Sequence, residues 1–167
     1  MSNVKEFQQL IQLVGQELAG LSPPISLEER ADLADAAKTV GIEPDAVNPI
    51  LALLEICNGQ RGMSLFSYFN LCDASVIKSQ LADFHSHGHC VVPFAWGCTK
   101  EYLLLDCDGT IGKPGNVIRW SIQNASGLVV AHDLDQFFEF TIDQAIRLGE
   151  PEDGIGFLFD CPQISSE

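Results

Sequence analysis

Basic side chains are scarce in this chain: nine lysines and arginines stand against 23 aspartates and glutamates, a formal net charge of -14. Such a surface repels phosphate backbones and anionic lipid, so neither nucleic acid nor a membrane is an expected partner, whereas a basic protein would be steered in. A solvated face that serves solubility alone is the plainer reading of the same charge. Long apolar runs are missing too, since none approaches the ~18 residues of a transmembrane helix. The opening Met1-Ser2-Asn3-Val4-Lys5-Glu6 lacks the basic-then-apolar order of a signal peptide. Six cysteines occur, Cys57, Cys72, Cys90, Cys98, Cys107 and Cys161, with no Cys-x-x-Cys pair among them. Most sit in apolar runs, which predicts reduced, partly buried thiols in a cytoplasmic protein rather than a disulfide framework.

What is present suffices for one globular domain: 167 residues, 46% apolar and only 19% charged. Val4, Phe7, Leu10, Ile11, Val14 and Leu18 share a helical face, and Gly20 with Pro23-Pro24 ends that segment. Ser26 and Glu29 have capping-box spacing ahead of a helix running to Gly41. Asn48-Pro49 reads as the start of a third helix, closed by Asn58-Gly59. A fourth runs from an Asp73 cap to Gly88. Beyond it the period shortens, and residues 90–95, 101–106, 116–122 and 127–131 read as strands whose short connections require antiparallel pairing. A helix over 134–149 follows. The order predicts a single α+β domain: N-terminal helices, a mostly antiparallel sheet over about residues 90–131, and a closing C-terminal helix. Residues 1–24 read as an added helix on a core spanning 26–149, with 150–167 as a tail.

One motif invites an enzymatic reading. Tyr102-Leu103-Leu104-Leu105-Asp106-Cys107-Asp108-Gly109-Thr110 resembles the nucleophile strand of haloacid-dehalogenase-type phosphatases, in which one aspartate attacks phosphorus and the second moves the proton. That chemistry needs Mg²⁺ and a cation, because a carboxylate repels a phosphate dianion. Ser121 comes too soon after the motif for a crossover helix. No lysine follows Lys113, and Asp133 with Asp135 lacks the intervening βαβ units. Asp-Gly is also a favoured hairpin turn. Spacing therefore weighs against phosphoryl transfer.

Other groupings are weaker. His85, His87 and His89, spaced by two ahead of Cys90, would share a face if extended and are candidate metal ligands, with Cys98 the nearest further one, although their spacing matches no familiar zinc module. No cysteine and histidine stand out as a nucleophilic pair, and His132 reads as a capping or surface residue. Leu65-Phe66-Ser67-Tyr68-Phe69 reads as a strand or loop covering the core, or else as a docking patch. Gly109, Gly112 and Gly115 lie in a turn with no following helix to receive an anion, so no phosphate loop and no cofactor is expected.

The order of short motifs resembles the SUKH superfamily, which includes fungal cell-wall-synthesis regulators and bacterial immunity proteins. Ala37-Lys38-Thr39-Val40-Gly41-Ile42-Glu43-Pro44, leading into a helix that ends Glu55-Ile56-Cys57-Asn58-Gly59, is similar to its helix, proline, helix, Asn-Gly opening. Val91-Val92-Pro93-Phe94-Ala95 resembles its Pro-Phe strand, Tyr102 to Asp106 with Gly109 its Tyr-x-x-Leu-Asp strand, and Gly115-Asn116-Val117-Ile118 the strand after that. Val130-Ala131-His132-Asp133-Leu134-Asp135-Gln136-Phe137-Phe138 resembles its strand-to-helix junction. The resemblance implies a non-enzymatic protein-binding module. In an immunity protein it would occlude a toxin, such as a basic nuclease or deaminase, with an acidic surface; a regulatory scaffold is the alternative. The expected contact residues are exposed acids at strand ends, Asp106, Asp108 and Asp133, with Trp96 as an anchor.

Overall fold

The computed structural model describes residues 3–66, 69–97 and 100–148. Six helices and a five-stranded antiparallel sheet make up the α+β domain, in the order α1 (Val4–Val14), α2 (Gln16–Ala19), α3 (Leu27–Thr39), α4 (Pro44–Leu54), β1 (Phe69–Leu71), α5 (Ala74–Ser86), β2 (Val91–Gly97), β3 (Glu101–Asp106), β4 (Val117–Ser121), β5 (Ser126–Ala131) and α6 (Leu134–Leu148). The predicted tail, 150–167, lies outside the described residues, as do Cys98, Cys161, Ser67 and Tyr68.

Local signals explain most of these boundaries. Ser26 caps α3 through the predicted box, its hydroxyl accepting from the Glu29 amide at 3.1 Å while the Glu29 carboxylate accepts from the Ser26 amide at 3.0 Å. Asp73 caps α5 by accepting from the Val76 amide at 2.9 Å. Two predicted boundaries move. The first helix stops at Gly15, whose φ of +93° suits glycine, so Leu18 falls in the separate α2 and stands 58% exposed instead of on the buried face. The third helix starts at Pro44 rather than Pro49, because Pro44 already occupies a position with no amide to lose. It continues through Pro49, and burial of Val47, Ile50, Leu51, Leu53 and Leu54 offsets the backbone bond that proline cannot make.

The sheet is a meander in sequence order, β1-β2-β3-β4-β5. β1 is an additional strand that lengthens the expected sheet at its N-terminal edge, pairing Phe69, Asn70 and Leu71 with Gly97, Trp96 and Ala95. The register shifts once in β2, between Pro93 and Ala95, and once between β4 and β5. Both irregularities add to the larger core: Phe94 and Ala95 both enter it, as do Val130 and Ala131. Pro93, which has no amide to donate, lies beyond the residues of β2 that pair with β1, so β3 alone flanks it.

The two sheet faces differ. Leu103, Leu105 and Val117 join Phe7, Leu10, Phe66, Phe94, Phe137 and Phe138 in the larger core, where α1 packs on α6. Within the N-terminal segment, Phe7 and Leu10 of α1 are fully buried in this core. The alternate residues, Leu104, Ile118 and Trp120, form a smaller cluster with Val91 and with Phe84 from the last turn of α5. Between α2 and β1 the chain is organised by buried Gln60, whose amide donates to the Ala19 and Met63 carbonyls and whose oxygen accepts from the Leu65 and Leu71 amides.

Candidate functional site

Asp106 ends β3 and is fully buried. One carboxylate oxygen accepts from the Gly109 amide at 2.9 Å, and the other from the amides of Ile111 at 3.1 Å and Gly112 at 2.7 Å. Its own amide donates to the Asn116 carbonyl, and its carbonyl accepts from Gly115. Asn116 completes the turn, accepting from the Lys113 amide at 2.9 Å and donating to the His132 carbonyl at 2.9 Å. The glycines are required for different reasons. Gly109 has a φ of +80°, whereas a side chain at Gly112 would meet the Asn116 oxygen at 2.7 Å. The expectation that Asp106 is an exposed contact residue is corrected: three converging amides draw its carboxylate inward to organise the loop.

The other expected contact residues divide between two places. Asp133 is exposed and caps α6, accepting from the Gln136 amide at 2.8 Å. It shares a cleft of about 270 Å³ with Asp45 of α4, Asp135 of α6 and the edge of Asp106, and among the described residues no lysine or arginine lines it. Asn3 closes one side, donating to Asp135 at 2.6 Å and thereby tying the start of α1 to α6. Asp108 is exposed in the neighbouring turn and accepts from Thr110 at 3.1 Å. Trp96 does not belong to this group. It is 42% exposed and pairs with Asn70 and Tyr102, at the opposite end of the β2-β3 hairpin from Val91 and Asp106.

The histidines are not on one extended face. His85 lies in the last turn of α5, His87 is its C-cap with Nδ1 2.8 Å from the Asp83 carbonyl oxygen, and Gly88 turns the chain with a φ of +84°. His89 instead packs its ring 5.1 Å from that of Trp120. Among the described residues no group of three histidines, cysteines or acids is placed to hold a metal ion.

Sequence reading missed a second cleft, of about 530 Å³, beside α5. Its walls include Phe84, Tyr102 and Trp120, with His87, His89, Gln80 and Asp83 also bordering it. Direct cross-strand pairing puts Trp96, Tyr102 and Trp120 in one row, and Gly127 follows opposite Trp120. A side chain at Gly127 would press on Ile118 at 2.5 Å and on the Trp120 ring at 3.1 Å, so the indole lies where that glycine leaves room. Only the pairing register could have revealed this row.

The described cysteines, Cys57, Cys72, Cys90 and Cys107, are free thiols. Burial pushes Cys57 from an ordinary 9.0 up to about 11, and burial together with the charges of Cys90, Asp106 and Asp108 pushes Cys107 up to about 12. Burial raises Cys72 further still. Because the unfolded thiols ionise first, their stabilising contribution is complete below pH 9.0 and lost as pH rises through the folded values. Urea midpoints should therefore fall progressively above about pH 9, and serine at Cys57 and Cys107 should flatten that decline. An unchanged decline in the double variant would show that other groups cause it.

No family model matches this sequence, and a search of curated proteins gives no match.

Proposed function

We propose that this chain is a non-enzymatic protein-binding module of the SUKH kind, acting as an immunity-type protein that covers the active site of a basic toxin with an acidic surface. The observation that carries this reading is the convergence of Asp45 with the distant Asp133 and Asp135 on one cleft whose described lining has no lysine or arginine. Acids gathered on one cleft raise the encounter rate with a cationic partner, and they do so without chemistry of their own. The exposed Asp108 extends the same negative field: together with Asp106 it raises the Cys90 thiol beyond the effect of burial.

The competing phosphatase reading meets a geometric difficulty. A nucleophilic carboxylate must reach phosphorus, whereas both Asp106 oxygens are committed to loop amides. Incubation with Mg²⁺ and a generic phosphomonoester should accordingly give no turnover.

The direct test is co-expression with a toxin-like product encoded beside this gene. Rescue of growth should be lost when Asp45, Asp133 and Asp135 are all changed to lysine. For the purified pair, the association rate should drop on the order of tenfold and lose most of its salt dependence. Unimpaired rescue by the folded triple variant would overturn the acidic-cleft reading, and a neighbourhood without any toxin-like gene would count against immunity.

A further inference from the structure

We infer that the cleft between α5 and the outer face of β3 and β4 is a binding site for a guanidinium group, presented as the side chain of an arginine in a partner polypeptide. Two large aromatic residues form its floor: Tyr102 and Trp120 are direct cross-strand partners and project from the same sheet face. Phe84 stands edge-on to both rings, with centroids 6.3 Å and 5.6 Å away, and so fixes their orientation. The His89 ring meets Trp120 from another side at 5.1 Å. These contacts make a preformed aromatic wall, not a loose surface patch, and the volume of about 530 Å³ is that of a small-ligand site.

The charge of the occupant follows from what borders the wall. Asp83 is exposed on α5 at the edge of the cleft, and among the described residues no lysine or arginine lines it. The Asp83 charge reaches Tyr102, contributing after burial and Cys72 to the raised phenol. Aromatic faces beside a carboxylate favour a cation. Arginine suits this cleft better than lysine because its planar group stacks on a ring while its edge donates to a carboxylate, and it is less strongly hydrated. A net charge of -14 favours approach of a cationic chain over that of any anionic ligand. Trp96, 42% exposed and next to Tyr102 in the row, supplies apolar area alongside the cleft for the polypeptide that carries the arginine.

The site lies on the sheet face opposite the larger core and shares no lining residue with the acidic cleft. It depends on the basic-partner reading only for the source of the arginine, and its chemistry can be tested without that partner.

The test uses the full chain carrying Trp96→Phe, in which Trp120 is the remaining one of two tryptophans. Titration with a capped Gly-Arg-Gly peptide should change Trp120 fluorescence saturably, with a Kd on the order of 1 mM. The citrulline peptide, which has the same shape but no charge, should bind at least about fivefold more weakly. Asp83→Asn and Tyr102→Leu should each weaken binding about threefold to tenfold, whereas Tyr102→Phe, which keeps the ring, should stay within about twofold. Asp133→Asn with Asp135→Asn should leave the titration unchanged, which separates failure of this site from failure of the acidic cleft. Equal binding of the citrulline peptide, or no saturable change by roughly 50 mM, would overturn the proposal. Tighter binding of free arginine than of the capped peptide would overturn the polypeptide source. Asp83 is exposed, so Asp83→Asn keeps the test decisive even if Tyr102→Leu fails to fold.

Discussion

Asp106→Ala should destabilise the protein by about 3–5 kcal/mol, a loss comparable with the whole stability of a marginal domain. The magnitude follows from what would remain. The amides of Gly109, Ile111 and Gly112 would keep pointing at a site from which their common acceptor had been removed. An unsatisfied buried donor costs about 1–3 kcal/mol, and the three costs will not add fully because the loop relaxes. Asp106→Asn should fare little better despite its shape. Whichever way its amide turns, its NH₂ faces at least one backbone N–H, since each carboxylate oxygen accepts at least one. With a denaturant slope of about 2 kcal/mol/M, a 3 kcal/mol loss moves the urea midpoint by about 1.5 M. Midpoints close to that of the unmodified protein for both variants would mean that the loop does not depend on this carboxylate. Asp108→Asn provides the contrast. Its side chain is exposed with a single loop contact, so the midpoint should barely change.

A second large effect is expected at Phe66. Its ring centroid lies 5.9 Å from Phe7 of α1, 6.1 Å from Phe94 of β2, and 5.7 Å and 5.8 Å from Phe137 and Phe138 of α6. The ring thus joins the first helix, the sheet and the last helix at one point, and it is 1% exposed. Truncation to alanine removes its transfer energy and leaves a cavity that four surrounding rings cannot easily fill, a cost of about 3–5 kcal/mol. The melting temperature should fall by roughly 6–20 °C. Phe66→Leu should recover much of the loss because it restores volume, though not the ring contacts. A decrease of only a degree or two for Phe66→Ala would mean that these rings repack, and that the first and last helices are not held through this residue.

These two residues also show where sequence reading stops. The segment around Phe66 is recognisably aromatic, yet periodicity cannot say whether such a segment covers a core or stands exposed to a partner. β1 is only three residues long and exists because β2 offers it an edge, so its own sequence carries little sign of it. Asp106 was legible as the end of a strand before an Asp-Gly turn. Its burial was not, because burial depends on the chain returning through Gly109 to Gly112 so that three amides converge. A carboxylate followed by glycines three and six positions later is the trace this arrangement leaves in the sequence.

By itself the sequence determined the elements whose causes are local: the Ser26–Glu29 box, the Asp73 cap, the apolar run of β3 and the helical face of α6. It also determined the charge of -14, and with it the kind of partner worth testing. Only the tertiary structure decided which acids stand together and which aromatics share a face. Asp45 joins Asp133 and Asp135 because the starts of α4 and α6 border one cleft. Trp96 and Trp120 flank Tyr102 because the shifted β2-β3 register and the regular β3-β4 register together align three strands. Caps and periodicities act over a few residues and can be read along the chain. Cleft linings depend on register and packing, which are settled by many contacts between distant segments at once.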